Sequence, residues 1–255
     1  MNIKRRQAIW EMLKRKGTLT LKELEEVFPD ISSMTLRRDF QYFESIGEAI
    51  RIKGGIRYIR SMGGVMQEDV YAMRLLMNQA AKDTVARIAA EYIETGRSIF
   101  FDSGTTALNL ARIIPDKHLS ILTSSPNIAL EILKRHTPSV NLIGGAVNRD
   151  NLSVSGEQSL KFIKDYNFDV AFMVPSAFSC ENGFSIGNYS ECELKRHIVR
   201  KSKQTIVMVD SSKFEKSMPF TFATLEQVSI LITDVKPSND VLDAAKKYGV
   251  LVRWE

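Results

Sequence analysis

Cysteine is scarce: Cys180 and Cys192 are the two in a chain of 255 residues. Such a pair cannot build a disulfide framework, so a reducing compartment is expected, and the cytoplasm fits best. The cysteines share no metal-ligand spacing with the three scattered histidines, His118, His136 and His197, so no metal site is expected. No run of 18 apolar residues exists, which argues against a membrane partner. The basic start MNIKRRQAIW is not followed by an apolar signal core, so secretion is not expected. Internal repeats and low-complexity tracts are missing too. Glycine-rich nucleotide signatures, G-x-G-x-x-G after a strand or G-x-x-x-x-G-K-[ST], do not occur. That disfavours a dinucleotide or a P-loop nucleotide, and no cofactor is expected.

What is present is ordinary in amount but uneven in place. The chain is 44% apolar and 25% charged, as in a globular protein of one large or two smaller domains. Its net charge is +5. Residues 1–60 hold 13 Lys and Arg against 8 Asp and Glu, so the whole excess lies in that stretch and the remainder is neutral. Such asymmetry points to a polyanionic partner for the N-terminal segment.

That segment reads as three short helices and a hairpin. A helix over 3–16 carries Ile9, Met12 and Leu13 on one stripe and ends at Gly17. A second, 21–28, is stopped by Pro29. Ser32 caps a third that runs to about Ser45, with Gly47 closing it. The runs EAIRI and IRYIR flank KGG, and the Gly54-Gly55 pair is expected to supply positive φ to a tight turn. Together these make a winged helix-turn-helix. In the third helix Leu36, Phe40 and Phe43 point to the core, while Met34, Arg37, Arg38 and Gln41 fall on the opposite face. Arginines can grip guanine edges or clamp phosphates, and Ser32, Ser33 and Thr35 add hydroxyls at the helix start. Arg51, Lys53 and Arg57 on the hairpin are candidate phosphate contacts. Double-stranded DNA is the expected partner of this set. Asp39 is read as orienting its neighbours Arg37 and Arg38.

Residues 61–78 read as a linker, with Ser61, Gly63 and Gly64 as a hinge and Met62, Met66, Met73 and Met77 as fillers of irregular gaps. From 79 to 255 helical stretches alternate with short β-rich runs. The fold class expected is therefore α/β, an N-terminal winged helix-turn-helix followed by a C-terminal domain with a mainly parallel sheet and helices on both faces. Trp10 and Trp254 are read as packing residues, and the two cysteines as inert.

Ligands of open α/β sheets bind beyond the carboxyl ends of the strands. There the sequence places Asp102-Ser103-Gly104-Thr105-Thr106, Thr123-Ser124-Ser125, Gly144-Gly145 and Ser211-Ser212-Lys213. Gly104 allows close backbone approach, and hydroxyls with free helix N–H groups suit an anion. Lys213 is a candidate cation for it. Asp102 and Glu191 are candidate acceptors for ligand hydroxyls. Each loop alone is also read as simple helix capping; the set points to a polar, anionic small molecule.

These residues resemble the DeoR family over nearly the whole chain. ISSMTLRRDF (31–40) resembles the family's Val-Ser-x-x-Thr-Ile-Arg-Arg-Asp-Leu signature, and RIKGG (51–55) its wing. DSGTT (102–106), IGG (143–145), SVSG (153–156), ECELKR (191–196), DSSKF (210–214) and ITD (232–234) match in chain order. The resemblance implies a transcriptional regulator, a repressor of a carbohydrate operon tuned by a phosphorylated sugar, commonly homo-oligomeric. It also implies a sensor domain similar to ribose-5-phosphate isomerase and CoA transferases. Three departures stand out: Lys53 in place of the wing histidine, Ser124 in place of the Asn of a Thr-Asn-Ser loop, and Val174-Pro175-Ser176-Ala177 where glycine is usual. No particular sugar is assigned.

Two other functions compete. An isomerase or transferase would use Asp102, Glu191 and Lys213 as acid, base and cation. No titratable pair has motif-level spacing, and a winged head would serve no metabolic enzyme, so no catalytic residue is assigned. Alternatively the C-terminal domain only oligomerises.

Overall fold

The computed structural model describes residues 2–46, 48–58 and 71–255. They form two compact units, Met1–Met77 and Asn78–Glu255. Gly47, Ser61, Met62, Gly63, Gly64, Met66 and the side chain of Met73 lie outside the described residues.

The first unit opens with α1 (Asn2–Lys16), closed by Gly17, whose φ is +73° and whose N–H donates to the Leu13 carbonyl at 2.8 Å. β1 (Thr18–Thr20) is next, then α2 (Leu21–Val27), α3 (Ser33–Ser45), β2 (Ala49–Ile52), β3 (Gly55–Tyr58) and α4 (Tyr71–Leu76). Thr20 and Glu23 form a reciprocal cap at the start of α2. A hydrogen bond from Lys16, joined by those from Thr20, pulls the Glu23 carboxyl down to about 2. Trp10 is fully buried, stacked on Phe43 at 5.8 Å between ring centroids and edge-on to Tyr58 at 5.2 Å. Ile9, Leu13, Leu24, Leu36, Phe40 and Ile56 complete this core, with Leu76 and Met77 packed on its margin.

The hairpin is broader than the sequence suggested. β1 adds a third antiparallel strand in the order β1-β3-β2. Three residues are too few to show alternation, which is why this strand leaves no sequence signal. The two glycines also divide their work. Gly54 has the positive φ, +83°, whereas Gly55 is required by closeness: a Cβ there would strike the Leu19 carbonyl oxygen across the β1–β3 pair.

The second unit contains α5 (Gln79–Ala90), β4 (Ser98–Phe101), α6 (Thr105–Ile113), β5 (Ser120–Thr123), α7 (Pro126–Ile132) and β6 (Ser139–Leu142). A hairpin of β7 (Ala146–Val147) and β8 (Val154–Ser155) leads to α8 (Glu157–Ile163) and β9 (Phe168–Met173). Then come β10 (Ala177–Ser179), β11 (Gly183–Ile186), α9 (Tyr189–Lys201), β12 (Ser202–Met208), β13 (Phe220–Ala223), β14 (Ile230–Ile232), α10 (Asn239–Lys247) and β15 (Leu251–Arg253). Seven strands form one sheet in the order β15-β14-β12-β9-β4-β5-β6, with every pairing parallel. Alternate strand residues are buried on both faces, as parallel sheets require. Phe100, Leu122, Ala171, Met173, Val207 and Leu231 meet α8, α9 and α10 on one side. Ile99, Phe101, Ile121, Phe172 and Ile206 are buried on the other.

The strand order contains one reversal. From β4 the chain lays down β5 and β6 on one side, then returns to set β9 on the other side of β4. The direction of winding therefore changes between β4 and β9.

The sequence did not reveal a small antiparallel sheet, β10-β11-β13, whose short strands are mostly buried and show no polar alternation. Trp254 is also corrected: it is only partly packed, 39% exposed, because it lies just past β15, the edge strand of the sheet. Among the described residues no helix is long and apolar enough to cross a membrane.

Candidate functional site

In the first unit, packing of Leu36, Phe40 and Phe43 inward turns the other side of α3 outward. Met34 is 63% exposed, and Arg37, Arg38 and Gln41 are exposed beside it. Ser32 caps the helix, accepting the Thr35 N–H at 3.4 Å, and the two hydroxyls lie 3.0 Å apart. Ser33 donates to Glu25 at 2.5 Å, tying the start of α3 to α2. These three hydroxyls are thus already engaged in setting the helix start. On the hairpin Lys53 and Arg57 are exposed, and Arg51 pairs with Glu44 at 3.3 Å. A hollow of about 230 Å³ between hairpin and helix is lined by Arg37, Phe40, Arg51, Ile52 and Gly54. Arg37 and Arg51 therefore sit on the same flank of α3.

Asp39 does not serve its sequence neighbours. It is fully buried, and its two oxygens accept from Arg5 Nε at 2.6 Å and Arg6 Nε at 2.8 Å, both on α1. Adjacent helix positions do not face each other, so an Asp cannot orient the residues directly before it.

In the second unit the strand ends converge. Asp102 lies just past β4 and is 1% exposed. Its Oδ2 accepts from the Val174 N–H at 2.8 Å, beyond the end of β9, and from Lys195 Nζ at 2.6 Å. Lys195 donates also to the Val174 carbonyl at 2.8 Å and lies 3.3 Å from Glu191. Glu191 in turn accepts from Ser103 Oγ at 3.1 Å, Asn151 Nδ2 at 2.6 Å and Ser153 Oγ at 3.2 Å. Two carboxylates and one ammonium are sealed together where the sheet reverses direction. Burial, with the Glu191 carboxylate adding to it and Lys195 opposing, pushes Asp102 up to about 6.

Around this cluster the small residues fall at the strand ends. Gly104, with φ +131°, precedes α6, and Thr105 and Thr106 open that helix, both buried. Its backbone packs against Val174, which a Cβ at Gly104 would touch at 3.3 Å. Thr123, Ser124 and Ser125 are buried at and past the end of β5. Ser125 caps α7 from its Oγ, and its N–H donates to Thr123 Oγ1 at 3.1 Å. Ser124 gives its carbonyl to the Val154 N–H at 2.7 Å. Gly144 is open, whereas Gly145 has φ +149° and lies hard against Ser159 Oγ and the Ser155 carbonyl. The Val174-Pro175 stretch carries part of the network through the backbone of Val174, and Pro175 is buried beside it.

Lys213 stands apart. It ends the 3-10 turn Ser211–Lys213 past β12, so β9 intervenes between its strand and β4. That turn is held by Asn78, which donates to Ser212 Oγ at 2.9 Å. The cation joined to Asp102 is Lys195, which the sequence reading missed, as it missed Asn78, Asn151 and Ser153. Glu191 and Lys195, four residues apart on a face of α9 shared with Leu194 and Ile198, were the available signal. A cleft of about 260 Å³ adjoins, lined by the β7–β8 hairpin with Gly156, Asn188 and Ser190. Burial raises the thiols of Cys192 and Cys180 above the ordinary range, and neither is poised as a thiolate.

Comparison with known proteins places both units. The model of the DeoR-like helix-turn-helix domain matches residues 5–62, and that of the DeoR C terminal sensor domain matches residues 77–235. The HTH-type transcriptional regulator GlpR of Haloferax volcanii is 31% identical over 87% of this chain and 86% of its own length. The transcriptional repressor AccR of Agrobacterium fabrum is 29% identical over 90% of this chain and 88% of its own. Among solved structures, ribose 5-phosphate isomerase A from Methanocaldococcus jannaschii aligns over 54% of this chain and 55% of its own, with a TM-score of 0.40 and 16% identity.

Proposed function

The chain belongs to the DeoR family of transcriptional regulators, and on that premise we propose that it represses a carbohydrate operon under the control of a phosphorylated sugar. The observation that carries the effector reading is the reversal between β4 and β9: ligands of open α/β sheets bind outside the carboxyl ends of the strands at such a point. Here it coincides with Gly104, Thr105 and Thr106 at the start of α6, a helix of nine residues. In this reading the free N–H groups of that turn hold the phosphate. Ser103, Thr123, Ser124, Ser125, Gly144 and Gly145 shape the surrounding loops. Asp102 and Glu191 face the sugar hydroxyls through the groups they already hold, and Lys213 serves as a flanking cation.

The head, 1–60, reads operator DNA with Met34, Arg37, Arg38 and Gln41 in the major groove and Arg51, Lys53 and Arg57 on phosphates, with Ser32, Ser33 and Thr35 setting the helix start. Residues 61–78 join it to the sensor, 79–255. We take the working form as at least a dimer, since paired heads on a repeated site gain by effective concentration. Nothing in the described network supplies a substrate-facing acid and base free of each other, and the family is one of regulators.

The test is calorimetry of a panel of sugar phosphates with and without a selected operator duplex. Linkage requires that a sugar phosphate and DNA change each other's affinity by one common factor. No binding by any member of the panel would remove the effector reading, and light scattering that showed a monomer on operator would remove the dimer.

A further inference from the structure

Two arginines of α1 enclose Asp39 of α3. Arg5, Arg6 and Asp39 are packed as two cations on one anion, with side chains 9%, 22% and 1% exposed respectively. Arg6 is the member that reaches outward. Its Nε edge is turned in to Asp39 at 2.8 Å, and its Cζ lies over the Tyr42 ring at 3.9 Å from the centroid. A guanidinium has two hydrogen-bonding edges in a fixed plane. With Nε on Asp39 and the face on Tyr42, that plane is set, and the Nη1–Nη2 edge of this partly exposed side chain is left to meet a further acceptor.

Its position relative to the groove-facing strip is fixed by the helix. At about 100° per residue, measured from Leu36, Arg37 falls at about 100°, Arg38 at about 200°, Tyr42 at about 240° and Asp39 at about 300°. The hairpin lies on the Arg37 flank, as the hollow shared by Arg37 and Arg51 shows. Arg6, resting on Tyr42 and Asp39, therefore lies on the Arg38 flank. The exposed strip of α3 is bordered by cations on both sides.

We propose that Arg6 is a phosphate-binding residue of the DNA interface, contacting the backbone on the side of the groove away from the hairpin, with Asp39 and Tyr42 as the positioning residues that set its edge. This rests on the reading that α3 enters the major groove. A positioned phosphate contact carries no sequence information but sets register and adds to counterion release.

The test uses the full chain and a duplex selected from a random pool. Arg6→Gln should weaken binding to all duplexes alike and lower the salt slope by about one per bound head, as loss of one phosphate contact does, with the base preference unchanged. A single neutral methylphosphonate at the contacted phosphate should weaken the wild-type chain and have no further effect on the variant. Arg38→Ala is measured in parallel. If Arg38→Ala impairs binding while Arg6→Gln keeps the wild-type slope, Arg6 is not a phosphate contact and the reading of α3 survives. If neither matters, the reading of α3 has itself failed. Circular dichroism and Tm establish folding of each variant. Should Arg6→Gln melt below the assay temperature, Arg6→Lys keeps the pair to Asp39, and its coupling to the methylphosphonate decides: a coupling lost or reduced supports the assignment, and a wild-type coupling overturns it.

Discussion

Lys195 lies 2.6 Å from Asp102, with both side chains 2% exposed, so that one ammonium on α9 holds the loop after β4 in place. Removing one partner of a buried ion pair leaves the other charge uncompensated, at a cost of about 3–5 kcal/mol. Lys195→Met is expected to destabilise the sensor unit by that order, read as a shifted midpoint in urea. It strands two carboxylates, Asp102 and Glu191, rather than one. A midpoint within error of wild type would mean that the cluster is open to water in solution.

The same cluster should give the sensor a pH signature. Asp102 is raised to about 6 when folded. A carboxyl raised on folding favours the folded state while protonated, so its contribution is full below about pH 4 and is lost as pH rises through about 6. The loss is on the order of 3 kcal/mol. Asp102→Asn cannot ionise. The stability of wild type minus that of Asp102→Asn, tracked by urea unfolding, should therefore fall between pH 4 and 6 and level off above. A difference that is flat over this range would contradict the burial of an ionisable Asp102.

Two neighbouring glycines should behave oppositely. Gly145 has φ +149°, and a Cβ there would press on the Ser155 carbonyl at 2.7 Å and on Ser159 Oγ. Gly145→Ala is expected to cost at least about 1–3 kcal/mol from backbone strain alone. Gly144 faces open space and lacks the positive φ, so Gly144→Ala should stay within about 0.5 kcal/mol of wild type. Thermal melts of the two variants separate the cases.

Arg37 and Arg38 are exposed on α3, so their removal should spare the fold and strike recognition. Each alanine variant is expected to lose about 1–3 kcal/mol in operator binding if it meets a base edge, with specificity relaxed at that base pair. Fluorescence anisotropy against the selected duplex and single-base variants of it measures both.

The fold was legible where period and punctuation agreed. Residue runs such as SIFFD and TIVMVD stand at β4 and β12, and the apolar spacing of Leu36, Phe40 and Phe43 fixed which side of α3 is exposed. Strand-end loops were legible for a related reason, since Gly104 and Ser125 punctuate the change from strand to helix. What stayed hidden were partnerships made across the chain. Asp39 looked like an escort for Arg37 and Arg38 because they adjoin it, yet its partners come from 33 and 34 residues earlier. Lys213 drew attention by its place after a strand, whereas Lys195 stood in the ECELKR stretch with no role assigned to it. The packing of α9 shows that its buried stripe includes a lysine and a glutamate. β1 and β7, of three and two residues, carry too little pattern to be read at all.

The bond from Lys195 to Asp102 spans 93 residues of sequence. Contacts of that separation form late, after the entropy of closing a long loop has been overcome. β4, β5 and β6 can assemble with their local crossings, but the buried cluster past the end of β4 needs β9 and α9 in place. It depends on contact between the two halves of the sheet and is lost when they part. A metabolite seated there would hold both halves at once, so it should slow global unfolding rather than speed folding. An occupied regulator would then outlast an empty one against proteolysis, and the metabolite would govern how long the repressor survives as well as where it binds.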